Sequence, residues 1–209
     1  MSLLVSEPAP EWSGSAVVDG AIVQDFNLNR YRGQYLLLFF YPLDFTFVCP
    51  TELHAFQEAL PQFQQRNGAV VGCSVDSCHA HLAWLRTPKA QGGIEGISYP
   101  LISDINKELA KLYGVLHPSG VALRGLFLID REGILRHQLV NDLPLGRSIE
   151  EALRTLDSWQ AYEEMGEVCP ANWRLGQRQL NPSQSGLETY FGQRDKDSSV
   201  TGLEASSLS

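Results

Sequence analysis

The sequence predicts an α/β protein built on a mixed β-sheet, and two patterns indicate this class. First, short apolar runs at residues 36–41 and 69–75 alternate with segments whose apolar residues recur at helical spacing. Second, residues 123–130 and 134–140 flank a turn with a glycine and resemble a β-hairpin, and a last helical pattern follows them. Strand–helix alternation followed by a hairpin predicts a mixed sheet flanked by helices.

The patterns also predict each element in chain order. They indicate a hairpin over 16–18 and 21–23, a central strand over 36–41, a helix over 51–66, a strand over 69–75, a helix over 77–86, a strand at 101–102 and a helix over 104–113. Ser77 and Asp104 are the expected helix caps, and Gly114 is the expected helix stop. Ser148 begins a helix to about residue 162, with Glu151 completing a capping box.

The composition changes after the last helix and suggests three regions. Residues 1–164 are expected to form one domain, and residues 165–191 to form an extended arm. Residues 192–209 are expected to be a disordered tail, because the chain becomes rich in serine and charge from residue 195.

Charge and hydropathy exclude several classes of partner. The net charge of −8 and the pI near 5.1 argue against binding to nucleic acid or to anionic membranes. No apolar run approaches the roughly 20 residues that cross a bilayer. The first residues lack the basic and apolar regions of a signal peptide, so we expect a cytoplasmic protein.

The cysteines are too few for a disulfide framework, and no Cys-x-x-Cys pair occurs. They are Cys49, Cys73, Cys78 and Cys169. A metal site at Cys73, Cys78, His79 and His81 is disfavoured, because this spacing fits no standard zinc pattern. We therefore expect no metal and no cofactor. Cys73, inside a strand, and Cys78 are expected to be inert.

Cys49 stands out from the other cysteines. Pro42 ends the central strand, and Pro50 is suited to the first turn of the helix that follows. This places Cys49 at a helix N-terminus, where free N–H groups and the positive end of the helix dipole stabilise a thiolate. The thiolate is the nucleophilic form of cysteine, so the sequence predicts a reactive residue here.

Two motifs carry a family resemblance. Phe-Tyr-Pro-Leu-Asp-Phe-Thr-Phe-Val-Cys-Pro-Thr-Glu, residues 40–52, resembles the active-site signature of the peroxiredoxins. Glu-Val-Cys-Pro-Ala-Asn-Trp, residues 167–173, resembles the second-cysteine motif of their typical 2-Cys class. The similarity covers roughly residues 3–191 and includes 123–127 and 141–147. It implies a thioredoxin-like fold with an N-terminal addition.

The resemblance implies a thiol-dependent peroxidase acting on hydrogen peroxide and organic hydroperoxides. Cys49 would attack the peroxide and become a sulfenic acid. Thr46 would place its hydroxyl beside the sulfur, and Arg124 would stabilise the thiolate and the charge developing on the peroxide. Glu52 would hold Arg124 in place, and Pro42 would shield Cys49 from water.

Cys169 would be the resolving cysteine. In the typical 2-Cys class it comes from the other subunit, so the resemblance implies a homodimer with an intersubunit disulfide. Such dimers often assemble into rings of five. Thioredoxin or a flavoprotein disulfide reductase would then reduce the disulfide.

The resemblance also bears on overoxidation of Cys49. Family members that are easily inactivated carry a Gly-Gly-Leu-Gly loop and a C-terminal Tyr-Phe. Residues 92–95 read Gly-Gly-Ile-Glu and residues 190–191 read Tyr-Phe, so we expect intermediate to high sensitivity.

Another class of function competes with the peroxidase hypothesis. A holdase chaperone or a redox-signalling adaptor working in higher oligomers would also suit an acidic chain with a polar tail. A Cys49→Ser variant separates the two functions, since it should lose peroxide consumption and keep any antiaggregation activity. A disulfide oxidoreductase is disfavoured because Cys-x-x-Cys is absent.

Overall fold

The computed structural model describes residues 4–192, and within this range seven strands form one mixed sheet. The strands are β1 (Ser13–Val18), β2 (Ala21–Asn27), β3 (Tyr35–Phe40), β4 (Gly68–Ser74), β5 (Leu101–Ser103), β6 (Arg124–Ile129) and β7 (Leu135–Asn141). The helices are α1 (Cys49–Gln65), α2 (Cys78–Leu85), α3 (Glu108–Leu112), α4 (Ile149–Met165) and α5 (184–192). None of these helices has the length and apolar character that crossing a bilayer requires.

The sheet order is β2-β1-β5-β4-β3-β6-β7, and its centre is parallel. Strand β4 pairs in parallel with both β3 and β5, while β6 runs antiparallel to β3. All six positions of β3 are buried, which explains its unbroken apolar run, because a central strand is covered on both faces. The predicted mixed sheet is confirmed.

The turns between antiparallel strands also match the sequence patterns. Asp19 and Gly20 join β1 to β2, and both have positive φ, at 49° and 73°. Two-residue hairpin turns of this kind favour Asp-Gly, since glycine adopts positive φ without a steric penalty. The second predicted hairpin is formed by β6 and β7.

Helix α3 begins later than the sequence suggests. The predicted start at Asp104 is wrong, because α3 runs only from Glu108 to Leu112 and its N-cap residue Lys107 is left-handed, at φ 62°. Asp104 nevertheless caps the helix from outside. Its carboxylate accepts hydrogen bonds from the backbone N–H groups of Leu109 and Ala110, at 3.0 and 2.7 Å.

The described chain divides after Leu153 into two compact units. The first unit contains the sheet and helices α1 to α3. The second contains most of α4, an isolated bridge between Val168 and Leu180, and α5, a helix that the polar sequence of the arm did not indicate. The predicted disordered tail lies outside the described residues apart from Gly192. The division into domain and arm at residue 164 stays a prediction.

The cap on α3 can be tested by substitution. Asp104→Ala should lower the free energy of unfolding by about 2 kcal/mol, because two buried N–H groups lose their acceptor. Asp104→Asn keeps one acceptor oxygen and should lose less. Glu108→Ala, an exposed change in the first turn of α3, is the control for chemical denaturation; an equal loss in both alanine variants would contradict the cap.

Candidate active site

Cys49 lies at the point where the chain enters α1 after leaving β3. Its side chain is 0% exposed. No side chain caps this helix, and the carbonyl of Val48 accepts hydrogen bonds from both the N–H and the hydroxyl of Thr51. Cys49 therefore sits at a buried helix N-terminus, as the sequence predicted, where N–H groups and the helix dipole favour a negative charge.

Arg124 reaches Cys49 because of the sheet register. Phe39 pairs with Leu126, so the first residue of the antiparallel strand β6 lies beyond the end of β3, at the edge where α1 begins. Arg124 Nη1 donates a hydrogen bond to Cys49 Sγ at 3.4 Å. Its Nε donates to the carbonyl of Leu143 at 2.6 Å, which fixes the guanidinium plane.

Glu52 joins Arg124 to a second arginine. One carboxylate oxygen accepts from Arg124 Nη1 at 2.7 Å and from Arg147 Nη2 at 2.9 Å. The other accepts from the Nε and the backbone N–H of Arg147, at 2.8 and 2.9 Å. The three side chains are between 1% and 4% exposed and together carry one net positive charge. A thiolate at Cys49 would balance that charge.

Arg147 was not among the predicted site residues. Besides binding Glu52, its Nη1 donates to the carbonyls of Phe40 and Gly125, at 2.8 and 2.6 Å. Its guanidinium also lies 5.1 Å from the centre of the Phe39 ring. Burial lowers the pKa of Arg147, and the Glu52 carboxylate opposes that shift. Residues 141–147 belonged to the family resemblance, but no local pattern distinguishes this arginine from an exposed one.

Pro42 and Thr46 lie in the loop between β3 and α1. Pro42 is buried, which suits the shielding role that was expected of it. The Thr46 hydroxyl donates its hydrogen bond to the carbonyl of Leu43 at 3.0 Å. Since a hydroxyl carries one proton and two lone pairs, Thr46 in this arrangement can only accept from another group.

A buried polar network anchors the same loop, and the sequence patterns did not predict it. Asp44 accepts from the hydroxyl of Tyr41 at 2.9 Å and contacts His81 Nδ1 at 2.8 Å. His81 Nε2 lies 3.1 Å from the carbonyl of Ile102 and must carry a hydrogen, because a carbonyl only accepts. Burial raises the pKa of Asp44, and His81 opposes that shift. The network ties the loop to α2 and β5.

The other cysteines differ from Cys49 in their surroundings. Burial raises the pKa of the Cys73 and Cys78 thiols, which suits the inert role expected of them. Cys169, in the second unit, is half-buried, and its Sγ donates to the carbonyl of Ser158 at 3.4 Å. Burial raises the pKa of the Cys169 thiol, while a hydrogen bond from Gln179 opposes the shift.

The fold and the site together define a thioredoxin-like protein with a buried cysteine held by an arginine. Comparison with known proteins shows which families the chain resembles. Residues 5–138 match the AhpC/TSA family. Residues 158–193 match the C-terminal domain of 1-Cys peroxiredoxin, although in this chain that stretch contains Cys169.

Relatives and solved structures are similar over most of the chain. Peroxiredoxin-4 of Homo sapiens is 52% identical over 188 residues, which are 90% of this chain and 69% of that protein. The thioredoxin peroxidase of Echinococcus granulosus is 47% identical over 192 residues, 91% of this chain and 99% of that one. The reduced 2-Cys peroxiredoxin of Plasmodium vivax superimposes with a TM-score of 0.89 at 46% identity, covering 91% of this chain and all of that one.

The chain belongs to the AhpC/TSA family. The resemblance to the typical 2-Cys peroxiredoxins is confirmed, as is the prediction of a thiol-dependent peroxidase with a thioredoxin-like fold. These relatives do not favour the alternative of a holdase chaperone or signalling adaptor.

The buried position of Arg147 can be tested through stability. Arg147→Met should lower the free energy of unfolding by about 3 kcal/mol, because Glu52 loses half of its support in a buried site. Lys89→Met removes a pair with Glu58 in which the two side chains are 63% and 72% exposed, and it should lose no more than about 1 kcal/mol. Equal losses in urea denaturation would contradict the inferred burial of the charge.

Proposed function

We propose that Cys49 is the nucleophile that reduces hydrogen peroxide and organic hydroperoxides. The Cys49 thiolate attacks the terminal peroxide oxygen, so that an S–O bond forms and the O–O bond breaks. The sulfur is oxidised by two electrons to a sulfenic acid, and the departing oxygen takes a proton and leaves as water or alcohol. The observation that carries this proposal is the contact of Arg124 with the buried sulfur, inside a cluster of net positive charge.

Each neighbouring residue has a distinct part in this step. Arg124 stabilises the negative charge that develops on the departing oxygen, and Glu52 holds Arg124 in position before the reaction begins. Thr46 accepts a hydrogen bond from a protonated peroxide oxygen, since its own proton is given to Leu43. Pro42 shields the sulfur from water.

The second step of the proposed cycle uses Cys169 of the other subunit in a homodimer. The Cys169 sulfur attacks the sulfenic acid, so that an S–S bond forms, the S–O bond breaks, and the departing hydroxide takes a proton to become water. The name 2-Cys peroxiredoxin of the Plasmodium vivax structure supports a cycle with two cysteines. The arm over residues 165–191 carries Cys169 to the partner, and dimers assemble further into a ring of five.

A dithiol protein returns the disulfide to two thiols by thiol–disulfide exchange. We propose thioredoxin or a flavoprotein disulfide reductase, and the name thioredoxin peroxidase of the Echinococcus granulosus relative supports the first of these. A cytoplasmic location and an intermediate to high sensitivity to overoxidation stay predictions.

Serine variants test both cysteine roles. Cys49→Ser should abolish peroxide consumption, because a hydroxyl is far less nucleophilic than a thiolate. Cys169→Ser should consume about one equivalent of peroxide per subunit and then stop in the presence of thioredoxin and its reductase. Cys78→Ser is the matched control and should turn over like the parent. On non-reducing gels only the parent and the control should form cross-linked dimers; monomeric migration of the oxidised parent would rule out the intersubunit disulfide.

The pKa of Cys169 predicts how the second step depends on pH. Burial raises this pKa above the ordinary cysteine value of about 8.5, so the neutral thiol dominates near neutral pH. Since the thiolate attacks, the rate of disulfide formation should rise nearly tenfold per pH unit between about pH 6.5 and about pH 8. Stopped-flow fluorescence can separate this phase from peroxide reduction. A second phase that is flat over this range would contradict the prediction.

A further inference from the structure

His54, in the second turn of α1, makes a contact that the proposed chemistry does not use. Its side chain is half-buried, and Nε2 lies 3.0 Å from the carbonyl oxygen of Gly93. Because a carbonyl only accepts, Nε2 carries the hydrogen and donates it. The adjacent carbonyl of Gly92 accepts from the indole N–H of Trp84 at 2.9 Å. Side chains of α1 and α2 thus bind consecutive carbonyls of one loop.

The loop that receives His54 is rigidly held. A Cβ atom at Gly93 would collide with the carbonyl oxygen of Thr87, so only glycine fits there. The N–H of Gly93 donates to the carbonyl of Pro88, and the N–H of Ile94 donates to the carbonyl of Trp84, at 3.1 and 3.2 Å. The hydrogen bond from His54 therefore connects α1 to a loop whose backbone is itself held by hydrogen bonds.

Disulfide formation requires α1 to open at its start. The Cys49 sulfur is fully buried, and a second sulfur must approach to about 2.05 Å to form the S–S bond. Each helical N–H donates to the carbonyl four residues earlier, so releasing residues 49–51 removes the acceptors of the N–H groups of residues 53–55. His54 lies in the turn that becomes the new end of the helix.

The neighbours of His54 remain anchored in other ways. The hydroxyl of Tyr99 donates to the carbonyl of Leu53 at 2.8 Å, and Glu52 is held by its two arginines. These contacts do not depend on residue 54, so a substitution there leaves the support of α1 in place. They also leave the His54–Gly93 hydrogen bond as a separate restraint on the same turn.

We propose that His54 is a positioning residue for the disulfide-forming step, because its hydrogen bond to Gly93 limits the opening of α1 that releases Cys49. This inference rests on the proposed roles of Cys49 and Cys169. By lowering the fraction of molecules in which α1 is open, His54 slows disulfide formation and leaves the sulfenic acid available to a second peroxide for longer. In that reaction another S–O bond forms and the O–O bond of the second peroxide breaks. Alcohol or water leaves, and the sulfur becomes a sulfinic acid.

The test compares His54→Leu with His54→Gln in the full-length protein. Leucine fills similar space without a donor, whereas glutamine can still donate an amide N–H to Gly93. In stopped-flow fluorescence, His54→Leu should form the disulfide roughly fivefold faster, the factor that one net hydrogen bond gives. The peroxide dose for half-maximal sulfinic acid, read by mass spectrometry, should rise by a similar factor. The first phase should not change, and His54→Gln should resemble the parent.

Glu58→Gln is the matched control, one turn further along α1. Glu58 is exposed and pairs with Lys89 at 3.3 Å, so this variant removes the charge from a contact between the same helix and the segment just before Gly92. It should change neither the rate of disulfide formation nor the sulfinic acid dose. Amide hydrogen exchange supplies an independent reading: His54→Leu should speed exchange at residues 51–55 only, while general destabilisation would speed it throughout the sheet.

The outcomes separate this inference from the proposed function. If the parent reacts in two phases but His54→Leu forms the disulfide at the parent's rate, the role of His54 is overturned. If His54→Gln behaves like His54→Leu, the hydrogen bond is not the cause. If the parent shows no first phase, the proposed role of Cys49 fails instead. Should His54→Leu not fold, His54→Ala provides the same comparison with His54→Gln.

Discussion

The site depends on one buried carboxylate held between two guanidinium groups. Removing either arginine leaves an uncompensated charge in a buried region, which is far more destabilising than breaking an exposed pair. Glu52 therefore fixes Arg124 and Arg147 together, and through them connects α1 to β6 and to the segment before α4. The excess positive charge of this cluster is what a thiolate at Cys49 would neutralise.

The topology of the sheet makes this cluster possible. In a sheet of parallel strands alone, Arg124 at the start of its strand would lie at the opposite edge from the end of β3. Because β6 runs antiparallel to β3, its first residue meets the loop that leaves β3 and enters α1. The contact between Asp44 in this loop and His81 in α2 also holds the loop in place. Fold and chemistry are connected through strand direction rather than through any single motif.

The sequence predicted what local patterns determine. The apolar run of β3, the Asp-Gly turn after β1 and the proline after Cys49 act over a few residues, and each element appeared in place. Arg147 and the Asp44–His81 pair could not be found this way, because their partners are distant in sequence. The start of α3 was misplaced for a related reason: Asp104 caps it across a left-handed residue, outside the usual cap spacing. Arg124 was selected by family resemblance, not by physical pattern.

The start of α1 has two requirements that oppose each other. Attack on peroxide needs Cys49 held beside Arg124, whereas disulfide formation needs the same turn released. Hydrogen bonds to charged groups are worth about 1.5–3 kcal/mol and neutral ones about 1 kcal/mol. Glu52 is held by hydrogen bonds between charged groups, which directly orient Arg124. The side chain of His54 is held by one hydrogen bond, to the carbonyl of Gly93. A change at position 54 can therefore alter how easily the turn opens while the charged cluster that serves the first step stays intact.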